Sequence, residues 1–74
     1  MRYALPPGVV EELHEARHAR GFTQQQLADS VGVHRVTLAR FEAGTRRPSR
    51  TCGRVLADVL ELSDIARGFL EAPR

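Results

Sequence analysis

The sequence predicts an all-α chain of five short helices in one domain. Three observations carry this. Apolar residues recur at helical spacing, as at Val9, Leu13 and Ala16. Gly21, Gly32 and Gly44 each follow such a stretch, where a helix end favours glycine. Thr23 and Ser63 stand just ahead of apolar runs, as N-caps do. A chain of 74 residues makes one small core and leaves little room for a deep substrate cleft, so a binding module is expected rather than an enzyme.

Residues 1–6 read as an N-terminal arm, 7–70 as the folded domain and 71–74 as a frayed end. The first helix is expected to begin at Pro7 or just after it, because proline suits a first helical turn. Glu11, Glu12 and Glu15 lie near that start, where the helix dipole favours negative charge. Thr23 with Gln26 forms a capping-box pattern, and Phe22 is placed to staple against Leu27. The second helix then covers Gln24 to about Val31, with Leu27, Ala28 and Val31 inward. The third runs from His34 to about Ala43, with Leu38 and Phe41 inward. Pro48 marks a loop, and the fourth helix is expected from Thr51 or Cys52 to Leu60, with Val55, Leu56, Val59 and Leu60 as its apolar set. Ser63 caps the fifth, in which Ile65, Phe69 and Leu62 are expected to pack inward.

The second and third helices meet at a corner with strict demands. Ala28 supplies a small residue where the helices touch, Gly32 tolerates positive φ, and Val33 anchors the turn. Leu38 and Phe41 hold the third helix to the core. All five at these spacings define a helix-turn-helix, whose second helix enters a DNA major groove. Arg35, Val36, Thr37 and Arg40 are then the candidates for base contact: Arg35 for guanine, Val36 for a thymine methyl group. Gln24, Gln25, Arg46, Arg47 and Arg50 are candidates for the sugar-phosphate backbone. His34 is either an unusual N-cap or a further contact, to a phosphate or a base.

Charge distribution agrees. Residues 33–54 hold six arginines and one acid, Glu42, a local balance of +5 within a chain of net charge +2. A basic middle between acidic flanks suits a polyanion. All eleven basic residues are arginine, which offers bidentate contacts that lysine does not.

The residues Arg17, Gly21, Thr23-Gln24, Leu27-Ala28, Val31-Gly32-Val33, Leu38, Phe41-Glu42, Gly44, Pro48-Ser49, Leu56-Ala57, Leu60 and Ser63 resemble the phage repressor and Cro-type (XRE-like) helix-turn-helix family. The resemblance covers about residues 9–70. It implies a compact five-helix repressor-like domain that binds operator DNA as a two-fold dimer, with contacts from Gln24, Arg35, Val36 and Arg40. It also implies a structural ion pair between Arg17 and Glu42. The chain departs from the family pattern at Arg50, Gly53 and Arg54, where apolar residues are usual, and at His34, where a hydroxyl residue is usual. The start of the fourth helix is therefore expected to be looser or differently packed.

The run His14-Glu15-Ala16-Arg17-His18 matches H-E-x-x-H, a zinc-peptidase signature. A third ligand would have to come from His34, Glu42 or Asp29, and no cleft is expected in so short a chain. The two histidines are read as solvent-facing, with no metal and no cofactor. Cys52 is the single cysteine, so no internal disulfide forms. No apolar run approaches the ~18 residues of a membrane span, and, since the N-terminal residues lack a basic segment followed by an apolar run, no secretion signal is expected.

The expected partner is double-stranded operator DNA, palindromic if two subunits share it, and the expected place is the cytoplasm of a bacterial or phage-infected cell. Regulation would act by site occupancy. A protein-binding role, such as that of an antitoxin, is the alternative. Leu62, Phe69 and Leu70 either complete the core or leave an apolar patch for a dimer contact.

Overall fold

The computed structural model describes residues 5–71. Five helices follow in order: α1 Pro7–Ala19, α2 Gln24–Val31, α3 Arg35–Ala43, α4 Arg50–Leu60 and α5 Asp64–Glu71. Met1–Ala4 and Ala72–Arg74, the ends of the expected arm and frayed terminus, lie outside the described residues.

Two prolines set the entry to α1. The Pro6 carbonyl accepts from the backbone N–H of Val9 and Val10, at 3.0 and 3.1 Å. Leu5, expected within a free arm, is instead fully buried in the core. Val9 and Leu13 continue inward, and Arg17 occupies the next position of the same stripe. None of the glutamates lies in the first turn of α1. Glu12 acts at the far end of the fold, where its carboxylate accepts from the backbone N–H and the hydroxyl of Ser63, both at 2.7 Å. Ser63 Oγ in turn accepts from Ala66 N at 3.2 Å, so Glu12 and Ser63 together organise the start of α5.

Helix α4 starts one residue before its expected range. Ser49 is the cap, its hydroxyl accepting from Cys52 N at 3.1 Å. Arg20 closes the other end, donating from Nε to the Leu60 carbonyl at 3.2 Å while its Nη2 pairs with the Glu61 carboxylate. Glu61 itself takes up a left-handed conformation at φ 50°. Leu56 and Leu60 reach the core, and Val55 and Val59 are half-buried.

Helices α4 and α5 approach closely at Gly53. A Cβ on Gly53 would overlap the Leu70 carbonyl oxygen and lie 3.0 Å from its carbon. The unusual glycine therefore makes the start of α4 differently packed rather than loose. It also corrects the orientation expected for α5. Leu62, Ala66 and Leu70 face inward, while Ile65 and Phe69 remain 75% and 43% exposed. Leu62 and Leu70 thus complete the core and are withdrawn from any surface patch.

Replacing Gly53 by alanine gains about 1 kcal/mol of helix propensity. It also drives a methyl group into backbone that cannot rotate aside, a kind of overpacking that costs about 1–3 kcal/mol. Gly53→Ala is expected to lower the thermal unfolding midpoint, by about 4–8 °C for each kcal/mol lost. An unchanged or raised midpoint would show that α5 yields freely.

Candidate nucleic-acid interface

Local chemistry builds the corner between α2 and α3. Thr23 Oγ1 accepts from Gln26 N at 3.0 Å and Gln26 Oε1 accepts from Thr23 N at 2.9 Å, a complete capping box. Gly32 ends α2 at φ 77° and ψ 32°, a conformation that a Cβ would strain. The chain then returns Val33 N to the Ala28 carbonyl at 3.0 Å. Leu27, Ala28 and Leu38 are fully buried, Phe41 nearly so, and Phe22, Val31 and Val33 pack against them.

With Leu38 and Phe41 inward, α3 turns Arg35, Val36 and Arg40 to solvent, and Thr37 and Ala39 lie on the flanks. Val36 is 53% exposed, an apolar side chain held out beside two guanidinium groups. His34 occupies the N-cap position with extended backbone, but its side chain makes no cap hydrogen bond. Its ring is exposed at the mouth of α3. Gln24 is the first residue of α2 and half-buried. Gln25 is exposed and donates to Asp29 Oδ1 at 2.8 Å.

The orientation of α3 is fixed from behind. Arg17 Nε donates to both Glu42 oxygens, at 2.8 and 3.0 Å, and Arg17 Nη1 donates to the Phe22 carbonyl at 2.8 Å. His14 Nδ1 lies 3.0 Å from the same Glu42 carboxylate. One side chain of α1 thereby holds the loop before α2 and the inner face of α3.

The arginines among the described residues divide into two sets. Arg17, Arg20, Arg54 and Arg67 pair with acids, and Arg47 Nη2 donates to the Phe69 carbonyl of α5. Arg35, Arg40, Arg46 and Arg50 have no ion-pair or hydrogen-bond partner for their side chains among the described residues. These four come from α3, the loop after it and the first residue of α4. The loop is held in place because the Arg40 carbonyl accepts from Thr45 N at 3.0 Å and Thr45 Oγ1 at 3.3 Å. Arg50 also lines a small cavity of about 150 Å³ with Thr51 and Arg54. The sequence pattern groups Arg47 with the backbone candidates; its tie to α5 depends on tertiary placement that no local pattern signals. Cys52 is half-buried, and burial pushes its thiol pKa up, which keeps it protonated and weakly nucleophilic.

Two helices set at a glycine corner, the second with an outward arginine face, define a DNA-binding helix-turn-helix. The chain belongs to the helix-turn-helix domain family, whose pattern it matches over residues 9–70. No curated protein and no solved structure shows significant similarity to it. Among the described residues no helix is long and apolar enough to cross a membrane.

The division of the arginines separates two neighbours. Arg47→Ala removes a hydrogen bond to α5, a loss of about 1 kcal/mol, and should lower the unfolding midpoint. Arg46→Ala should leave it unchanged. Thermal unfolding of the two variants side by side decides the matter, and equal midpoints would mean that Arg47 is not engaged with α5 in solution.

Proposed function

We propose that the protein is a sequence-specific transcription regulator of the repressor and Cro type, acting by occupying its operator. The observation that carries this reading is the clustering on and beside α3 of Arg35, Arg40, Arg46 and Arg50, whose side chains have no partner among the described residues. On this reading α3 lies in the major groove. Arg35 and Arg40 read base edges, Val36 packs on a thymine methyl group, and Thr37 works from the flank. Gln24 and His34 stand at the starts of α2 and α3, where free backbone N–H groups favour phosphate. Gln25, Arg46 and Arg50 add backbone contacts, and Arg47 braces the loop that carries Arg46.

A second copy completes the reading. Ile65 and Phe69 stand one turn apart on α5 and expose adjacent apolar surface. Gly68 lies between them in sequence, with open space where a Cβ would project. Paired across a two-fold axis, such a face is self-complementary. Two subunits would then address half-sites about 34 Å apart, one turn of the duplex.

Binding to a selected duplex should fall steeply with salt. A dimer neutralising roughly 6–10 phosphates loses about 10³ to 10⁵ in affinity between 50 and 200 mM salt. Arg35→Ala should cost about 1–3 kcal/mol and relax preference at one base pair, read by selection from random duplexes. Affinity indifferent to salt, or an unchanged selected site, would remove the arginine face from the mechanism.

Ile65→Glu changes a side chain that the protomer core does not use. It should leave unfolding unaltered and weaken self-association in sedimentation, with and without DNA. Equal association by both proteins would place the two-fold contact elsewhere.

A further inference from the structure

Helix α1 carries a feature that the DNA-binding reading does not use. At 100° per residue, Glu11, His14, Glu15 and His18 fall within an arc of about 100° on its surface. All four are exposed. The rings of His14 and His18 meet edge to face with centroids 4.5 Å apart.

The partners of the two rings fix their tautomers. A carboxylate only accepts, so His14 Nδ1 carries the proton that it gives to Glu42 Oε1 at 3.0 Å. In the neutral ring, the form that binds a metal, the lone pair of His14 is then on Nε2. A guanidinium only donates, so His18 Nε2, 3.3 Å from Arg17 Nη2, also keeps its lone pair. A carboxylate behind the proton-bearing nitrogen is the arrangement that orients an imidazole ligand and raises its basicity. The contact between His18 and Arg17 is long, and Arg17 retains its bonds to Glu42 and to the Phe22 carbonyl if that contact is given up. Glu11, Glu15 and Glu42 outweigh the single charge of Arg17 nearby.

We propose that His14 and His18 form a chelating site on α1 for a divalent transition-metal cation of the Zn²⁺, Cu²⁺ and Ni²⁺ class. Both imidazoles bind through Nε2, and water with the Glu11 or Glu15 carboxylate completes the shell. Imidazole pairs select these ions over Mg²⁺ and Ca²⁺, which take oxygen ligands. Among the described residues no three His, Cys, Asp or Glu side chains already surround one point. The site is therefore an open pair that recruits its remaining ligands from exposed carboxylates and solvent. It lies behind the DNA-facing helix, and His14 links it to Glu42 of α3.

The test uses the full chain and added Zn²⁺ or Cu²⁺. Calorimetric titration should show one Zn²⁺ per chain, and Cu²⁺ should show spectroscopic coupling to two imidazole nitrogens. His18→Ala, at an exposed position, should weaken binding by at least about tenfold, since altering even an outer partner of a metal ligand costs 10–100-fold. The His14→Ala/His18→Ala pair of changes should abolish the site. Because His14 also touches Glu42, nitrogen NMR of the unaltered protein provides a second reading: Zn²⁺ should shift the Nε2 resonances of both histidines together. Binding by His18→Ala equal to that of the unaltered chain, or ring resonances indifferent to Zn²⁺, would overturn the proposal.

Discussion

The pairing of Arg17 with Glu42 is the constraint on which the outward arginine face of α3 depends. The two residues are only 6% and 9% exposed, so both charges are largely removed from water. Such burial is costly unless the geometry is good and the remaining polar atoms are satisfied. Here Arg17 Nε bonds to both carboxylate oxygens and Nη1 bonds to the Phe22 carbonyl. No buried side-chain nitrogen or oxygen among the described residues lacks a partner. Removing one member would strand the other, at about 3–5 kcal/mol, a large part of the ~5–15 kcal/mol that holds a domain folded. Replacing both by apolar residues is often harmless to stability. The reason to hold an ion pair here is thus directional. An apolar contact between α1 and α3 tolerates rotation of the helix, whereas a forked hydrogen bond does not, and rotation of α3 would change which of its residues, Arg35, Val36 and Arg40 among them, face solvent.

The same pair shapes the field outside. Glu42 is the single acid between residues 33 and 54, and it is buried and neutralised from behind. Arg35, Arg40, Arg46 and Arg50 therefore project into solvent with no carboxylate of their own segment to offset them. A modest net charge of +2 conceals this, because the other acids lie outside that segment, where Glu12, Asp58, Glu61 and Glu71 are engaged with Ser63, Arg67, Arg20 and Arg54. Steering toward a polyanion follows from the local excess and not from the total.

What the sequence disclosed and what it withheld follow a physical divide. The capping box at Thr23, the glycine corner at Gly32 and the end of α3 at Gly44 involve residues within a few positions of one another, so their pattern is visible in one dimension. The inward stripes of α2 and α3 follow from 3.6-residue spacing for the same reason. Ser49 is readable as a hydroxyl three residues before Cys52, but Pro48 draws the boundary later than the cap sets it. The carboxylate of Glu12 on Ser63, the guanidinium of Arg47 on α5 and the burial of Leu5 join residues far apart in the chain. No local periodicity encodes them. The arginine face is legible as composition, but which arginines remain unengaged is settled only by these long-range partners.

Helix α5 shows how one such partner overrides hydrophobicity. Ile65 and Phe69 are larger than Ala66, and burying a side chain of their kind is worth about 1.5–3 kcal/mol. A free choice would turn them inward. The choice is not free, because Gly53 admits the backbone of Leu70 at a separation that no other residue at position 53 would allow. Glu12 fixes the opposite end of the helix through Ser63. With both ends fixed, the rotation of α5 is determined, Leu62, Ala66 and Leu70 fill the core, and the larger pair is left outside. The exposed apolar face is thus a consequence of close helix packing rather than of a weak core. It is presented from a short helix held at both ends, by Gly53 against Leu70 and by Glu12 through Ser63.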